Sequence, residues 1–556
     1  MEGKRGYEEE RRGLLHVIDV DREDQRYSGG EGMRNNSLSP FEYENRPIRD
    51  RTWGFTLAFL YVIGVLGAII SLQNVNPLFF KLSKPYLNDP KHCPYDASDD
   101  GNRRGMLEDD DPQVDIQEFF KTASSWLVVS MACSLLFGIL FIRLIKDHSM
   151  FLARFTIGFQ LAIPAVVSGF SIAAGNIGQG LLFLGLSGLT YAVFYLWRRE
   201  IGVASNLLSV SGHALAGNSV GLIAMTILMN LLAVVLLVPM LFGIGASFAV
   251  GDVVPNPMRM GSQACVDEAG DAVLCCAWQP GALPALHIVL CVVTALWSLF
   301  TMRQIQVYVI SGVVAQWYFA PTGTPVAGNL SRSLKHAFTS SFGTNAFAGL
   351  VITFTNMVKQ SAQNEQENGS ASIFGFLASC FAGILEYLTK FATVFAAITG
   401  EALLTAGRTV TDLLARNLLD AFATTIWFPS ALLTLVSITM AGLWGAGAGA
   451  LYRYVHKDAQ EHHHMDNSIM FAALTGIMAL VVLNFLAGLL LSILDSVFVC
   501  FALDQDRHEV ANAELHEALL HVAHERGILV EEPDGNLEYG NATRHHEHGA
   551  SVPSKR

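Results

Sequence analysis

The sequence predicts an all-α fold, a polytopic transmembrane helix bundle of about ten spans with both termini cytoplasmic. Three observations predict it. Hydrophobic residues make up 51% of the 556-residue chain and charged residues 15%, against roughly a quarter charged in soluble domains. The charge that is present gathers at the two ends and in a few loops. Between these loops, uncharged runs recur at about the 20 residues that cross a bilayer core. A formal net charge of −13 and the absence of any Lys/Arg cluster exclude a nucleic-acid binder, which must neutralise phosphates.

Residues 1–50 read as a cytoplasmic, largely disordered tail, and 51–506 as the membrane domain. MEGKRGYEEERR leads into polar sequence rather than a short apolar run with a cleavage site, so no secretory signal is expected. The first span is Trp53 to Leu72, and Arg46, Arg49 and Arg51 ahead of it place the N-terminus inside. An external loop, 73–124, holds Cys93. Ser125 to Ile142 brings the chain back to Arg143 and Lys146; Phe155 to Ala174 goes out, and Leu181 to Trp197 returns to Arg198 and Arg199. Ile201 to Val220 mixes small polar with apolar residues and reads as a cytoplasmic or interfacial helix before a fifth span, Gly221 to Phe242. A second external loop, 243–282, carries Cys265, Cys275 and Cys276. With Cys93 these are four external cysteines, from which about one or two disulfides are expected in an oxidising compartment. Cys133, Cys291, Cys380 and Cys500 fall inside spans, as small packing hydrophobes.

Leu283 to Pro321 is apolar apart from Arg303, Gln304 and Gln306, and no turn divides it, so it reads as one broken or long tilted sixth helix. Ser340 to Met357 is a seventh span of marginal hydrophobicity, and Ile373 to Ala397 an eighth, interrupted by Glu386 and Lys390. The amphipathic ITGEALLTAGRTVTDLLARN belongs at the inner face. Trp427 to Leu451 and Ile469 to Phe501 complete the spans. Arg453 and Lys457 then fall outside, in conflict with the positive-inside tendency. Residues 507–556 form a second cytoplasmic tail, in which NAELHEALLHVAHERGILV has the period of an amphipathic helix.

No Walker A or HExxH motif occurs, so neither a nucleotide-driven pump nor a metalloprotease-type enzyme is indicated, and no cofactor is expected. EHHHMD, Glu461 to Asp466, has metal-ligating residue types, but consecutive side chains do not easily converge on one ion, and a solvated loop is expected. The acids in or near spans are Glu386, Glu401 and Asp495. Glu386 and Lys390 stand at i and i+4, where they can neutralise one another. Asp495 lies about 9 Å along the helix from Phe501, too deep for solvation from the lipid side. It is therefore either a cation-path carboxylate or an acceptor for hydroxyls and amides of a neighbouring helix. Gln160, just before Pro164, either lines a path or satisfies carbonyls freed by the proline. Gly343, Gly349, Gly442, Gly445, Gly447 and Gly449 would allow close helix approach. Asn368 heads an NGS glycosylation triplet in an expected external loop.

Four stretches carry a family likeness: SGVVAQWYF (Ser311 to Phe319), SLKHAFTSSFGTNAFAGLV (Ser333 to Val351), GEALLTAGRTVTDLLARN (Gly400 to Asn417) and LDSVFVCFALDQD (Leu494 to Asp506). In this order they resemble the choline transporter-like family of solute carriers, including its fungal and protist Pns-type members. The resemblance implies ten spans, cytoplasmic termini, a plasma-membrane location and transport of choline or a related organic amine. In the seventh span Ser341, Gly343 and Gly349 match the family pattern, whereas Thr344, Asn345 and Leu350 depart from it; Glu401 stands where a polar or basic residue is expected. A quaternary ammonium has no N–H to donate, so its site needs aromatic faces and a carboxylate. The candidates are Trp317, Tyr318, Gln316, Asn345, Glu401, Asp495 and Gln160, with Trp317 and Tyr318 also readable as an interfacial anchor. Transport would proceed by alternating access; the alternative is a non-transporting scaffold or lipid-handling protein. The partners considered are a choline-like cation, membrane lipids and, left open, a second copy of the chain.

Overall fold

In a computed structural model the described residues are 45–81, 116–216, 219–255, 265–266, 272–273, 276–320, 328–367, 373–417, 419–455 and 464–507. Cys93, Cys275, Asn368 and the C-terminal segment with helical period lie outside them. Of Cys265 and Cys276 the backbone alone is described. The described chain forms twelve α-helices. In order they are α1 (Arg51–Gln73), α2 (Ile116–Ala173), α3 (Ile177–Leu196), α4 (Arg198–Ala216), α5 (Ser219–Phe248) and α6 (Ala282–Tyr318). There follow α7 (Asn329–Phe338), α8 (Phe342–Glu367), α9 (Ile373–Thr399), α10 (Leu403–Asn417), α11 (Leu419–Val455) and α12 (His464–Arg507). Eight of them, α1, α2, α3, α5, α6, α9, α11 and α12, contain segments long and apolar enough to cross a membrane. The protein is a multi-pass helical membrane protein.

Helices satisfy their own backbone polar groups, which lipid cannot do for them. The side chains are then sorted in the sense lipid dictates. Along α1, Phe55, Phe59, Val62, Leu66 and Ile70 are exposed, while Gly54, Gly64, Ala68 and Ser71 are buried. Small residues bring backbones together where apolar bulk gains nothing by leaving the lipid. Past the middle of α1, His287 of α6 bonds the Gly64 carbonyl through Nε2 at 3.0 Å and Ser247 of α5 through Nδ1 at 2.6 Å. A carbonyl only accepts, so Nε2 carries a proton.

Non-helical backbone at His148 (φ −139°, ψ 36°) interrupts α2, between the two spans expected there. Helix α6 settles the sixth span as one long element: it has 37 residues, about 55 Å of rise. Arg303 turns outward from it, and Gln304 and Gln306 turn inward. The segment read as an interfacial helix is α4. It buries Ala204, Leu207, Leu208 and Leu215 with Ser205 and Ser211, and packs against α2, α11 and α12. Helix α8 buries Thr344, Asn345, Thr353 and Thr355, which is why its hydropathy is marginal. Between α11 and α12 the contact is backbone-close: a Cβ on Gly445 would stand 2.6 Å from the Ala472 carbonyl oxygen, whereas Gly442 and Gly447 meet nothing.

Two features escaped the sequence reading. The second loop holds an antiparallel ribbon, β1 (Gly251–Pro255) on β4 (Cys276–Pro280), and a shorter pair, β2 (Cys265–Val266) on β3 (Ala272–Val273). Trp278 Nε1 donates to the Phe248 carbonyl at 2.7 Å, which docks the ribbon on the end of α5. Helix α12 also starts earlier and ends later than expected. It is helical from His464, within the segment read as a solvated loop, and runs past Phe501 to Arg507, so that Asp504 is buried rather than in water.

Candidate functional site

Helices α6, α9 and α12 pack on one another along a polar seam. Thr393 Oγ1 of α9 donates to Gln304 Oε1 of α6 at 2.9 Å, and Ser496 Oγ of α12 donates to Ser311 Oγ of α6 at 2.9 Å. All four side chains are buried. One residue before Ser496 and one turn before Thr393, Asp495 Oδ2 is paired with Lys390 Nζ. The Asp495 side chain is 3% exposed and that of Lys390 35%. Oδ2 accepts no aligned hydrogen bond, so the ammonium is what compensates the buried charge among the described residues.

This corrects the expected pairing of Glu386 with Lys390. Glu386 reaches across to Lys359 of α8, and Lys390 turns to α12. The magnitudes explain the choice. An i, i+4 pair on one helix is worth roughly 0.2–0.5 kcal/mol, whereas leaving a buried charge without its partner costs about 3–5 kcal/mol. Among the described residues no hydroxyl or amide donates to Asp495 Oδ2, and Ser496 and Ser311 bond each other. Near the pair stands Tyr387 of α9, half-buried, within reach of the Asp495 charge and 4.7 Å from the Phe391 ring.

The other candidate residues do not join this seam pair. Gln316 is buried, its Nε2 donating to the Gly312 carbonyl at 2.8 Å and to Ser333 Oγ at 2.9 Å. Tyr318 is buried, its hydroxyl donating to Asp504 Oδ2 at 3.0 Å. Trp317, half-buried, packs against the main apolar core. In this conformation the Gln316–Tyr318 stretch is a bonded corner of α6, α7 and α12. Asn345 is wholly buried; its Nδ2 donates to the Ala337 carbonyl at 3.2 Å, and its Oδ1 has no hydrogen-bond partner. Gln160 donates to Thr439 Oγ1 of α11 at 3.4 Å rather than to carbonyls freed by Pro164. Glu401 lies half-buried in the turn between α9 and α10.

That turn receives a strap from the N-terminal segment. The Arg46 guanidinium donates to Tyr308 Oη at 2.8 Å, to the Ala397 carbonyl at 2.9 Å and to the Ile398 carbonyl at 2.8 Å. These carbonyls end α9, where no intrahelical donor follows and where a cation suits the helix dipole. Gly400 allows the turn through its left-handed backbone, φ 80°. Asp50 Oδ2 accepts from the Leu403 amide at 2.9 Å, capping α10, and from Thr344 Oγ1 at 3.0 Å. Only a glycine fits at 343, since a Cβ there would lie 2.2 Å from the Asp50 carbonyl oxygen. Arg46, Asp50, Tyr387 and Lys390 were not singled out as site residues. No pattern in the sequence says which distant helix each would meet.

Residues 181–506 match the family described as plasma-membrane choline transporter. The chain belongs to this family. The matched stretch takes in α6, α9 and all but the last residue of α12, hence the whole ion-pair seam. A CTL-like protein of Dictyostelium discoideum is 22% identical over 503 residues, covering 84% of this chain and 87% of its own. Protein PNS1 of Candida albicans is 26% identical over 155 residues, 26% of this chain and 30% of its own. A second CTL-like protein of Dictyostelium discoideum is 26% identical over 121 residues, 21% of this chain and 22% of its own. In this choline transporter family member, the strap at Arg46–Asp50 lies ahead of the matched region, although it bonds to helices inside it.

Proposed function

We propose that the protein moves choline or a related organic amine across a membrane by alternating access, along a path that passes Asp495. The observation that carries this reading is a mid-helix carboxylate, 3% exposed, compensated by a partly exposed lysine. Ionisable residues inside spans face bundle interiors or water-filled paths and mark ion and substrate routes. Asp495 precedes the end of α12 by about 18 Å and Lys390 precedes the end of α9 by about 14 Å, so the pair lies within its helices rather than at their ends. Family membership supports a choline-like amine as the substrate class.

In this reading the break at His148 makes two spans of α2 and α8 adds another, so the eight apolar helices become about ten spans with both termini cytoplasmic. The membrane is the plasma membrane. The loop cysteines Cys93, Cys265, Cys275 and Cys276 then face outside and form disulfides, and Asn368 is accessible to glycosylation. Transport runs down the substrate gradient and membrane potential, without an enzymatic step.

Purified protein in proteoliposomes, with an inside-negative potential, is expected to accumulate radiolabelled choline above empty vesicles. Uptake equal to that of empty vesicles would overturn the reading in favour of a scaffold or lipid-handling role. Asp495→Asn is expected to lower choline uptake at least about tenfold; unchanged rate and KM would remove Asp495 from the path.

A further inference from the structure

Resting on that reading of Asp495, we propose that Lys390 is a tethered competitor for the substrate. Its ammonium holds the Asp495 carboxylate when no organic cation is bound, and swings aside when a substrate ammonium takes its place.

The asymmetry of the pair is the first support. The carboxylate is 3% exposed and fixed in the seam, whereas the lysine is 35% exposed. A four-carbon stem that is a third uncovered by the protein has room to move away from the carboxylate, and in the proposed path its charge moves into the water-filled route that admits substrate. Secondly, the contact is an ion pair with no aligned hydrogen bond to Oδ2, so no fork geometry locks it. Nor is Lys390 shared with Glu386, whose partner is Lys359. Thirdly, Tyr387 stands three residues before Lys390 on α9, which puts an aromatic side chain on the helix face that carries the lysine. A methylated ammonium gains from such a face, and a lysine, with three N–H donors, does not depend on it.

The exchange keeps the site's charge constant. One cation leaves as another arrives, so the buried carboxylate is never left bare, a state that costs about 3–5 kcal/mol. The lysine therefore serves the return of the unloaded carrier, and its cost is a weaker apparent affinity for substrate. If Lys390 occupies the carboxylate in about nine molecules of ten, apparent affinity is reduced about tenfold.

The test is choline uptake by the full chain in proteoliposomes for Lys390→Arg, Lys390→Met and the double variant Lys390→Met/Asp495→Asn. Arginine keeps the charge and clamps a carboxylate through two N–H groups. Lys390→Arg is expected to raise the choline KM about tenfold, and a folded Lys390→Met to lower it about tenfold. A wild-type KM in Lys390→Arg overturns the inference, whether or not Lys390→Met folds. The double variant distinguishes the two failures. If it keeps the wild-type KM, Asp495 does not meet substrate and both proposals fall. If it loses choline affinity while Lys390→Arg behaves as wild type, only the competitor falls.

Discussion

Helix α9 carries two charged residues one turn apart, and the ion pairs they make are different in kind. Glu386 meets Lys359 with side chains 40% and 28% exposed, so neither charge is sealed inside the bundle. Lys390 meets Asp495 where the acid is 3% exposed and nothing else among the described residues compensates it. Identical chemistry thus gives a dispensable tie at one position and an obligatory one at the next turn. The difference lies wholly in what the neighbouring helix presents.

The comparison can be broken at four points. Lys390→Met leaves a buried carboxylate bare and is expected to cost about 3–5 kcal/mol, read as a lowered thermal midpoint in detergent. Adding Asp495→Asn should recover most of it, and a single variant as stable as wild type would show that Asp495 carries no charge in the folded state. Arg46→Ala removes a third cation of the bundle, one neutralised by carbonyls rather than by an acid. It should cost about 2 kcal/mol, the range for hydrogen bonds to a charged group, and its proteolysis near residue 46 should speed up. Asp50→Ala deletes the cap of α10 and should cost about 1 kcal/mol, visible in the same melt. Glu386→Gln should shift the midpoint by less than about 1 kcal/mol. A larger loss there would mean that the half-exposed pair is as demanding as the buried one.

Much of the fold was legible in the sequence. The eighth span, expected from Ile373 to Ala397, is α9 from Ile373 to Thr399, because apolar run and polar flanks mark a helix bounded by its solvent. The expected gap between the second and third spans contains the break at His148, next to Lys146 and Asp147. Of the glycines read as approach points, Gly445 does meet α12, but Gly442 and Gly447 on the same helix do not. Composition announces that a helix can be approached and not on which face. The site was legible only as a residue, Asp495. Its partner was misread because a period of i, i+4 is visible along one helix, whereas contacts between α9 and α12 depend on how both helices are rotated. The bonds of the polar corner at Gln316 and Tyr318 were not legible for the same reason: Gln316 meets Ser333 of the next helix and Tyr318 meets Asp504, 186 positions on.

By itself the sequence determined the solvent in which this chain folds, the apolar stretches its long helices are built on, and the fact that an acid must be tolerated within the last one. Those follow from local hydropathy and from backbone groups that lipid leaves unsatisfied. Only the tertiary structure decided that Lys390 rather than a hydroxyl answers that acid, that Glu386 is turned away to Lys359, and that the N-terminal strap caps the ends of α9 and α10. These pairings join residues up to 353 positions apart. They are set by the rotation and approach of packed helices, and no periodicity along a single helix encodes them.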